Sequence, residues 1–128
     1  MKVTCGVDII EIERIRESIE NIGEKFLKRV FTDREIEYCE SKKGQKYQHY
    51  AGRFAAKEAA FKAISKELDD KYSVCWKDFE VINDKQGRPQ INITNANTEK
   101  IESIDISISH CKLYATANVV VVYKREEM

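Results

Sequence analysis

The sequence predicts an α+β fold, with helices mainly in the N-terminal half packed on an antiparallel sheet from the C-terminal half. Three observations carry this. Isoleucines recur at helical spacing near the start, and an alanine-rich run without proline, YAGRFAAKEAAFKAIS, spans Tyr50 to Ser65. From Val74 onward the hydrophobic period shortens to two. No internal repeat, low-complexity tract or composition break divides the 128 residues, so residues 1–128 are read as a single domain.

The elements follow in order. Val3 to Val7 is a short β-branched strand that places Asp8 at its exit. Ile9, Ile12, Ile15, Ile19 and Ile22 then mark one face of a helix that Gly23 stops. Off that face, Arg14 and Arg16 alternate with Glu13, Glu17 and Glu20. This is either a solvated surface of i,i+4 pairs or a docking surface continued by Lys25, Lys28 and Arg29. Phe26, Leu27, Val30 and Phe31 form a second apolar turn, and Thr32 with Glu35 is a capping box for a helix reaching about Ser41. After the polar break around Gly44, the central helix begins near Lys46 or Tyr47 and ends near Ser65, and KELDDKYS follows as a loop.

In the second half, Val74, Trp76, Phe79, Val81 and Ile82 read as a strand, Asn83 to Pro89 as a turn, and Ile91 with Ile93 as the return strand. The polar stretch Thr94 to Ser103 has room for one helical turn around Ala96 to Ile101. DISISH, Asp105 to His110, alternates cleanly, with Ile106 and Ile108 on one face and Ser107 and Ser109 on the other. Leu113 to Tyr123 is the longest apolar stretch and is expected to be a central antiparallel strand. The KREEM tail from Lys124 is expected to fray.

Composition removes several function classes. Hydrophobic residues make up 42% and charged residues 34%, which fits a folded globular chain. Basic and acidic residues balance at 22 each, so no bulk field points to a nucleic acid or a membrane surface. No apolar run approaches the roughly 18 residues of a membrane span, and the N-terminus does not read as a signal peptide. Cys5, Cys39, Cys75 and Cys111 are scattered, without a CxxC pair, among only two histidines, His49 and His110. That pattern fits reduced, mostly buried thiols in a cytoplasmic protein rather than a zinc site.

The central helix holds its charges awkwardly. On a helical wheel, Tyr50, Phe54, Phe61 and Ile64 share an apolar arc. Lys57 falls inside it, Glu58 on its edge, and Arg53 and Lys62 just outside on opposite sides. Charge beside apolar surface is costly unless paired. The helix is either a core element with snorkelling lysines and a Glu58–Lys62 pair, or a platform lending a carboxylate and cations to a polyanion and its metal. GxGxxG, Walker, HExxH and GxSxG motifs are all absent. What remains is Asp8 and Glu58, with Arg53, Lys57, Lys62 and His110. Two carboxylates together with phosphate oxygens are a common way to hold Mg²⁺, and lysines offset charge on a phosphoryl group. Each residue also has a plainer role: Asp8 as a helix cap, His110 and Pro89 as turn residues.

Five segments occur together and in order: GVDIIEIERI from Gly6, FT-x-x-E from Phe31, GRFAAKEAAFKA from Gly52, GRP from Gly87 and SISH from Ser107. In combination they resemble the holo-[acyl-carrier-protein] synthase family, the short single-domain type of 4′-phosphopantetheinyl transferase, over essentially the whole chain. The resemblance implies that family's fold and transfer of phosphopantetheine from coenzyme A to a serine of apo-acyl carrier protein, releasing adenosine 3′,5′-bisphosphate. It implies Asp8 and Glu58 as Mg²⁺ ligands and Lys62 as the group that stabilises or protonates the departing phosphate oxygen. Arg53, Lys62, Pro89 and His110 would line the coenzyme A site. Arg14 would dock the acyl carrier protein, and the assembly would be a homotrimer with active sites shared between subunits. Lys57 lies in the same motif without an assigned role. The chain departs from the family pattern where Ser65, Lys66 and Glu67 replace a glycine loop, and Cys111 follows the histidine in place of threonine or serine. The first departure motivates a second reading, a coenzyme A or nucleotide binder with impaired catalysis. A structural adaptor that uses the first helix to bind an acidic partner is a third.

Overall fold

Ten residues of mostly small and β-branched character, Tyr114–Tyr123, form the strand (β5) on which the molecule is assembled. A computed structural model describes residues 1–125; Glu126 to Met128, the end of the tail expected to fray, lie outside the described residues. In chain order the elements are β1 (Lys2–Glu11), α1 (Ile12–Ile22), α2 (Glu24–Val30), α3 (Asp33–Glu40) and α4 (Lys46–Ile64). They continue with β2 (Phe79–Asn83), β3 (Pro89–Ile93), β4 (Ile101–His110) and β5. Strands β1, β5 and β4 make an antiparallel sheet in that order, and β2–β3 is a separate hairpin. The α+β architecture matches the sequence expectation and so does the central place of β5. The sheet is divided, however, and its one edge comes from the N-terminus rather than the C-terminal half.

Register determines what faces the helices. Gly6, Asp8 and Ile10 of β1 lie opposite Val119, Ala117 and Ala115 of β5, whose other side meets Ile106, Ile108 and His110 of β4. Directly opposed residues share a face. The buried members of these rows, Ala115, Ala117, Val119 and Val121, show that this face is the one covered by α4. Two glycines let the helix settle. A Cβ on Gly6 would stand 1.9 Å from the Ala59 carbonyl oxygen, and one on Gly52 would meet Ile108 Cγ2 at 2.9 Å. Helix α4 therefore crosses the sheet obliquely, its N-terminal half over β4 and its C-terminal half over β1. Ala55, Ala56, Ala59, Ala60 and Ala63 are all buried at this contact.

Several local expectations change. Asp8 does not end a strand or cap a helix: β1 runs on to Glu11, because Ile9 and Ile10 continue the pairing against Thr116 and Ala115. Ile9 is thus a strand residue, 66% exposed, and α1 starts at Ile12. Val74 lies outside any strand, and Trp76–Asp78 forms a 3₁₀ turn before β2. Pro89 opens β3 instead of closing a turn, a position where its missing N–H is tolerated. The helical turn expected around Ala96 to Ile101 does not form, and Ile101 already begins β4. On α4 the expected arc divides: Tyr50 and Ile64 are buried, Phe54 and Phe61 only half-buried, the alanines add most of the remaining burial, and Lys57 is buried completely. The capping box at Thr32 and Glu35 forms as expected.

Candidate functional site

The oblique crossing brings the C-terminal half of α4 against β1, where Asp8 faces the helix. Lys62 Nζ donates to Asp8 Oδ1 at 3.1 Å and to the Val7 carbonyl at 3.0 Å. Thr116 Oγ1 donates to the Asp8 carbonyl at 2.8 Å, which pins the strand on its other side. Glu58 lies one turn before Lys62 on the same helix face and makes no hydrogen bond or ion pair among the described residues. Partial burial lifts its carboxyl above the usual range, the neighbouring Asp8 charge adds to this, and Lys62 partly opposes it. Two carboxylates held together with one half-exposed lysine form a site short of positive charge. The structure thus brings Asp8, Glu58 and Lys62 together on one flank of α4.

Arg53, Pro89 and His110 gather elsewhere, over β4. From Arg53 to Glu58 the helix rises about 7.5 Å and turns about 140°. Arg53 is 4% exposed; its guanidinium donates to Asn83 Oδ1 at 2.6 Å and lies 3.9 Å from the centre of the Tyr38 ring. Asn83 in turn donates to the Gly87 carbonyl at 2.9 Å and is the register partner of Pro89. Arg53 thereby anchors the β2–β3 turn. The His49 ring stands 6.0 Å from that of His110 and 5.6 Å from that of Tyr38. Burial, then Lys42, Arg53 and His110, all hold the His49 imidazole below its usual range. His49 was not among the sequence candidates, although its i,i+4 relation to Arg53 was the available signal.

Lys57 finds a different partner. Its ammonium lies 2.6 Å from Glu35 Oε1, with both side chains fully buried, and donates to the Phe79 and Trp76 carbonyls at 2.5 and 3.1 Å. Glu35 also accepts from the Thr32 and Val81 backbone N–H groups, each at 2.9 Å. Burial draws the Lys57 ammonium below its usual range and Glu35 opposes that. Capping-box spacing located Glu35, but only the fold shows its second task. Above this pair, Glu58, Phe61, Tyr72, Val74, Trp76 and Phe79 border a cleft of about 350 Å³.

Two further places bear on the sequence reading, the expected docking residue Arg14 and the departure at Ser65–Glu67. Arg14 is exposed on α1 and unpaired among the described residues, whereas Arg16 pairs with Glu13 and Glu20. Ser65–Glu67 continues α4 as a 3₁₀ turn, with Ser65 Oγ donating to the Lys62 carbonyl, so no open glycine loop follows the helix.

Comparison with known proteins covers almost the whole chain. The profile of the 4′-phosphopantetheinyl transferase superfamily matches residues 4–121. A holo-[acyl-carrier-protein] synthase from Ruminiclostridium cellulolyticum is 43% identical over 126 residues, spanning 94% of this chain and 92% of that protein. The fold superposes on the Chronobacterium ammoniagenes ACPS–CoA complex with a TM-score of 0.80 at 30% identity, covering 98% of this chain and 100% of the other. It also matches Helicobacter pylori holo-[acyl-carrier-protein] synthase in complex with coenzyme A, with a TM-score of 0.77 at 31% identity and coverage of 92% and 99%.

Proposed function

This chain belongs to the 4′-phosphopantetheinyl transferase superfamily, and on that premise we propose that it is a holo-[acyl-carrier-protein] synthase. It transfers the 4′-phosphopantetheine group of coenzyme A to a serine hydroxyl of apo-acyl carrier protein and releases adenosine 3′,5′-bisphosphate. The serine oxygen gives up its proton, to Asp8, Glu58 or a water, and forms a bond to the β-phosphorus as the bond from that phosphorus to the nucleotide's phosphate oxygen breaks. Lys62, aimed along β1 at Asp8, is placed to meet the negative charge left on the departing phosphate. The observation that carries this reading is the convergence of Asp8, Glu58 and Lys62 on one flank of α4.

The same carboxylates fit Mg²⁺. Both are hard oxygen donors and their mutual repulsion favours a cation between them. No group of three or more metal-ligating side chains occurs among the described residues, which suits an ion that completes its shell with water and substrate phosphates. When bound, Mg²⁺ would supply charge neutralisation at the pyrophosphate. Arg53, Pro89 and His110 line the nucleotide end of the coenzyme A site, and Arg14 meets the acidic carrier protein through its unpaired guanidinium.

The protein works as a homotrimer with sites shared between subunits. Two features support this. The sheet face away from α4 leaves Val3, Val7, Ile9 and Val120 exposed, an apolar surface of the kind that subunits cover. The two half-sites also point away from each other on α4, so that one chain serves two sites. A cytoplasmic location accords with four free cysteines, although only Cys39 is buried and Cys5, Cys75 and Cys111 are exposed, against the expectation of mostly buried thiols. It accords also with the absence, among the described residues, of a helix long and apolar enough to cross a membrane.

The test is incubation with coenzyme A, Mg²⁺ and an apo carrier protein, read by the mass gain of the phosphopantetheine arm. Transfer is expected with the native chain and none with Glu58→Ala or Asp8→Ala, both still folded by circular dichroism. Full activity of both variants would overturn the assignment. Coenzyme A binding without transfer by the native chain would favour the impaired-catalyst reading that the Ser65–Glu67 turn keeps open.

A further inference from the structure

Over β4 the molecule collects positive charge, on Lys42, Arg53 and two histidines, that forms no ion pair among the described residues. The ring of Tyr38, on α3, is a platform for three neighbours: Arg53 at 3.9 Å and Lys42 at 4.8 Å from its centre, and the His49 ring at 5.6 Å. His110, at the end of β4, closes the corner 6.0 Å from His49. Two acids of α3 are engaged elsewhere. Glu40 accepts from Tyr50 at 2.6 Å and pairs with Lys46, and Glu35 is held by Lys57. Arg53 is almost wholly buried, yet its Nε has no hydrogen-bond partner among the described residues. A buried donor without a partner beside unneutralised cations is the signature of a place for an anion.

We infer that His49 is the proton-accepting member of a phosphate-binding corner formed with Arg53, Lys42 and His110, and that it takes up a proton when a phosphate group of coenzyme A enters. The proposal rests on the function proposed above for the identity of the ligand. Its physical content is separate. In the free protein burial first of all, and then each charged neighbour, disfavours a positive charge on His49: Lys42 beyond α3, Arg53 on its own helix and His110 on β4. Its imidazole is therefore held neutral at pH values where an ordinary histidine, near 6.5, is half protonated. An incoming phosphate reverses the sign of the local field and makes the imidazolium the favoured form. Binding and protonation are then linked, and affinity rises as pH falls through the window between the free and bound midpoints.

The chain has only two histidines, so its imidazole NMR spectrum holds two titrating sets, which His49→Phe assigns. Each is followed against pH with and without saturating coenzyme A. The His49 midpoint is expected below 6.5 in the free protein and higher by about one pH unit in the complex. Coenzyme A affinity of the native chain should then change about tenfold more across that window than that of His49→Phe. Coenzyme A that binds without moving the His49 midpoint overturns this inference and leaves the proposed function standing. Failure of the native chain to bind coenzyme A overturns both.

Discussion

Helix α4 carries two lysine–carboxylate contacts of opposite character. Lys57 and Glu35 are wholly buried, 2.6 Å apart, and saturated: the ammonium has Glu35 and two carbonyls, the carboxylate has Lys57 and two backbone N–H groups. Lys62 and Asp8 are 3.1 Å apart with 51% and 17% of their side chains exposed, and Glu58 beside them has no partner among the described residues. The same residue types on one helix thus serve two ends. Where every donor and acceptor is answered within the fold, charge fixes the position of α4 against α3 and β2. Where one carboxylate remains unanswered, charge is available to a ligand.

The largest stability effect should come from breaking the closed pair. Lys57→Met keeps the volume but leaves Glu35 buried without its cation, for which about 3–5 kcal/mol is expected. Urea denaturation monitored by circular dichroism measures it. A loss below about 1 kcal/mol would show that Lys57 does not hold the fold, and the distinction between the two contacts would collapse.

This division is also where the sequence stopped being informative. The limits of α4 and the capping box at Thr32 were legible, because helix propensity and cap chemistry act within a few residues. The central place of β5 was legible from its unbroken apolar run. Asp8, Glu58 and Lys62 were legible as two carboxylates and a cation that could serve a polyanion and its metal, and family resemblance gave each a role. The Glu35–Lys57 pair was not legible, since its partners are separated along the chain and meet only when α3 folds over α4. For the same reason the sequence could say that Lys57 sat among apolar neighbours but not what answered its charge. Ile9 misled by fitting a helical period that β1 overrode by pairing with Thr116. His49 escaped notice because its spacing to Arg53 says little alone; Tyr38 on α3 and His110 on β4 join it only in the fold.

At the open contact the expected effect moves from stability to rate. Lys62→Met should slow phosphopantetheine transfer by about 10²–10³-fold, the scale for removing one preorganised charge from developing phosphate charge. Its stability should change by less than about 1 kcal/mol, because the Asp8 contact is half in solvent. Single-turnover mass spectrometry and thermal denaturation of one preparation separate the two. A large stability loss with an unchanged rate would make Lys62 a second Lys57.

The smallest effect is the most discriminating in sign. Partial burial and Asp8 raise the Glu58 carboxyl above 4.5, so the folded state holds that proton more tightly than the unfolded chain. Above the raised value, ionised Glu58 costs stability; as pH falls through it toward 4.5 the carboxyl protonates and the cost disappears. Glu58→Gln should therefore raise the melting temperature of the metal-free protein near neutral pH. Allowing for solvent screening, the rise is about 1–2 °C. The gain should vanish in acid, while transfer is lost at every pH. A neutral side chain would then stabilise at the open contact where it destabilises at the closed one, as expected if Glu58 is retained for a ligand at the expense of the fold. A melting temperature that falls at neutral pH would mean that Glu58 is already answered within the protein, and would remove the basis for placing a cation there.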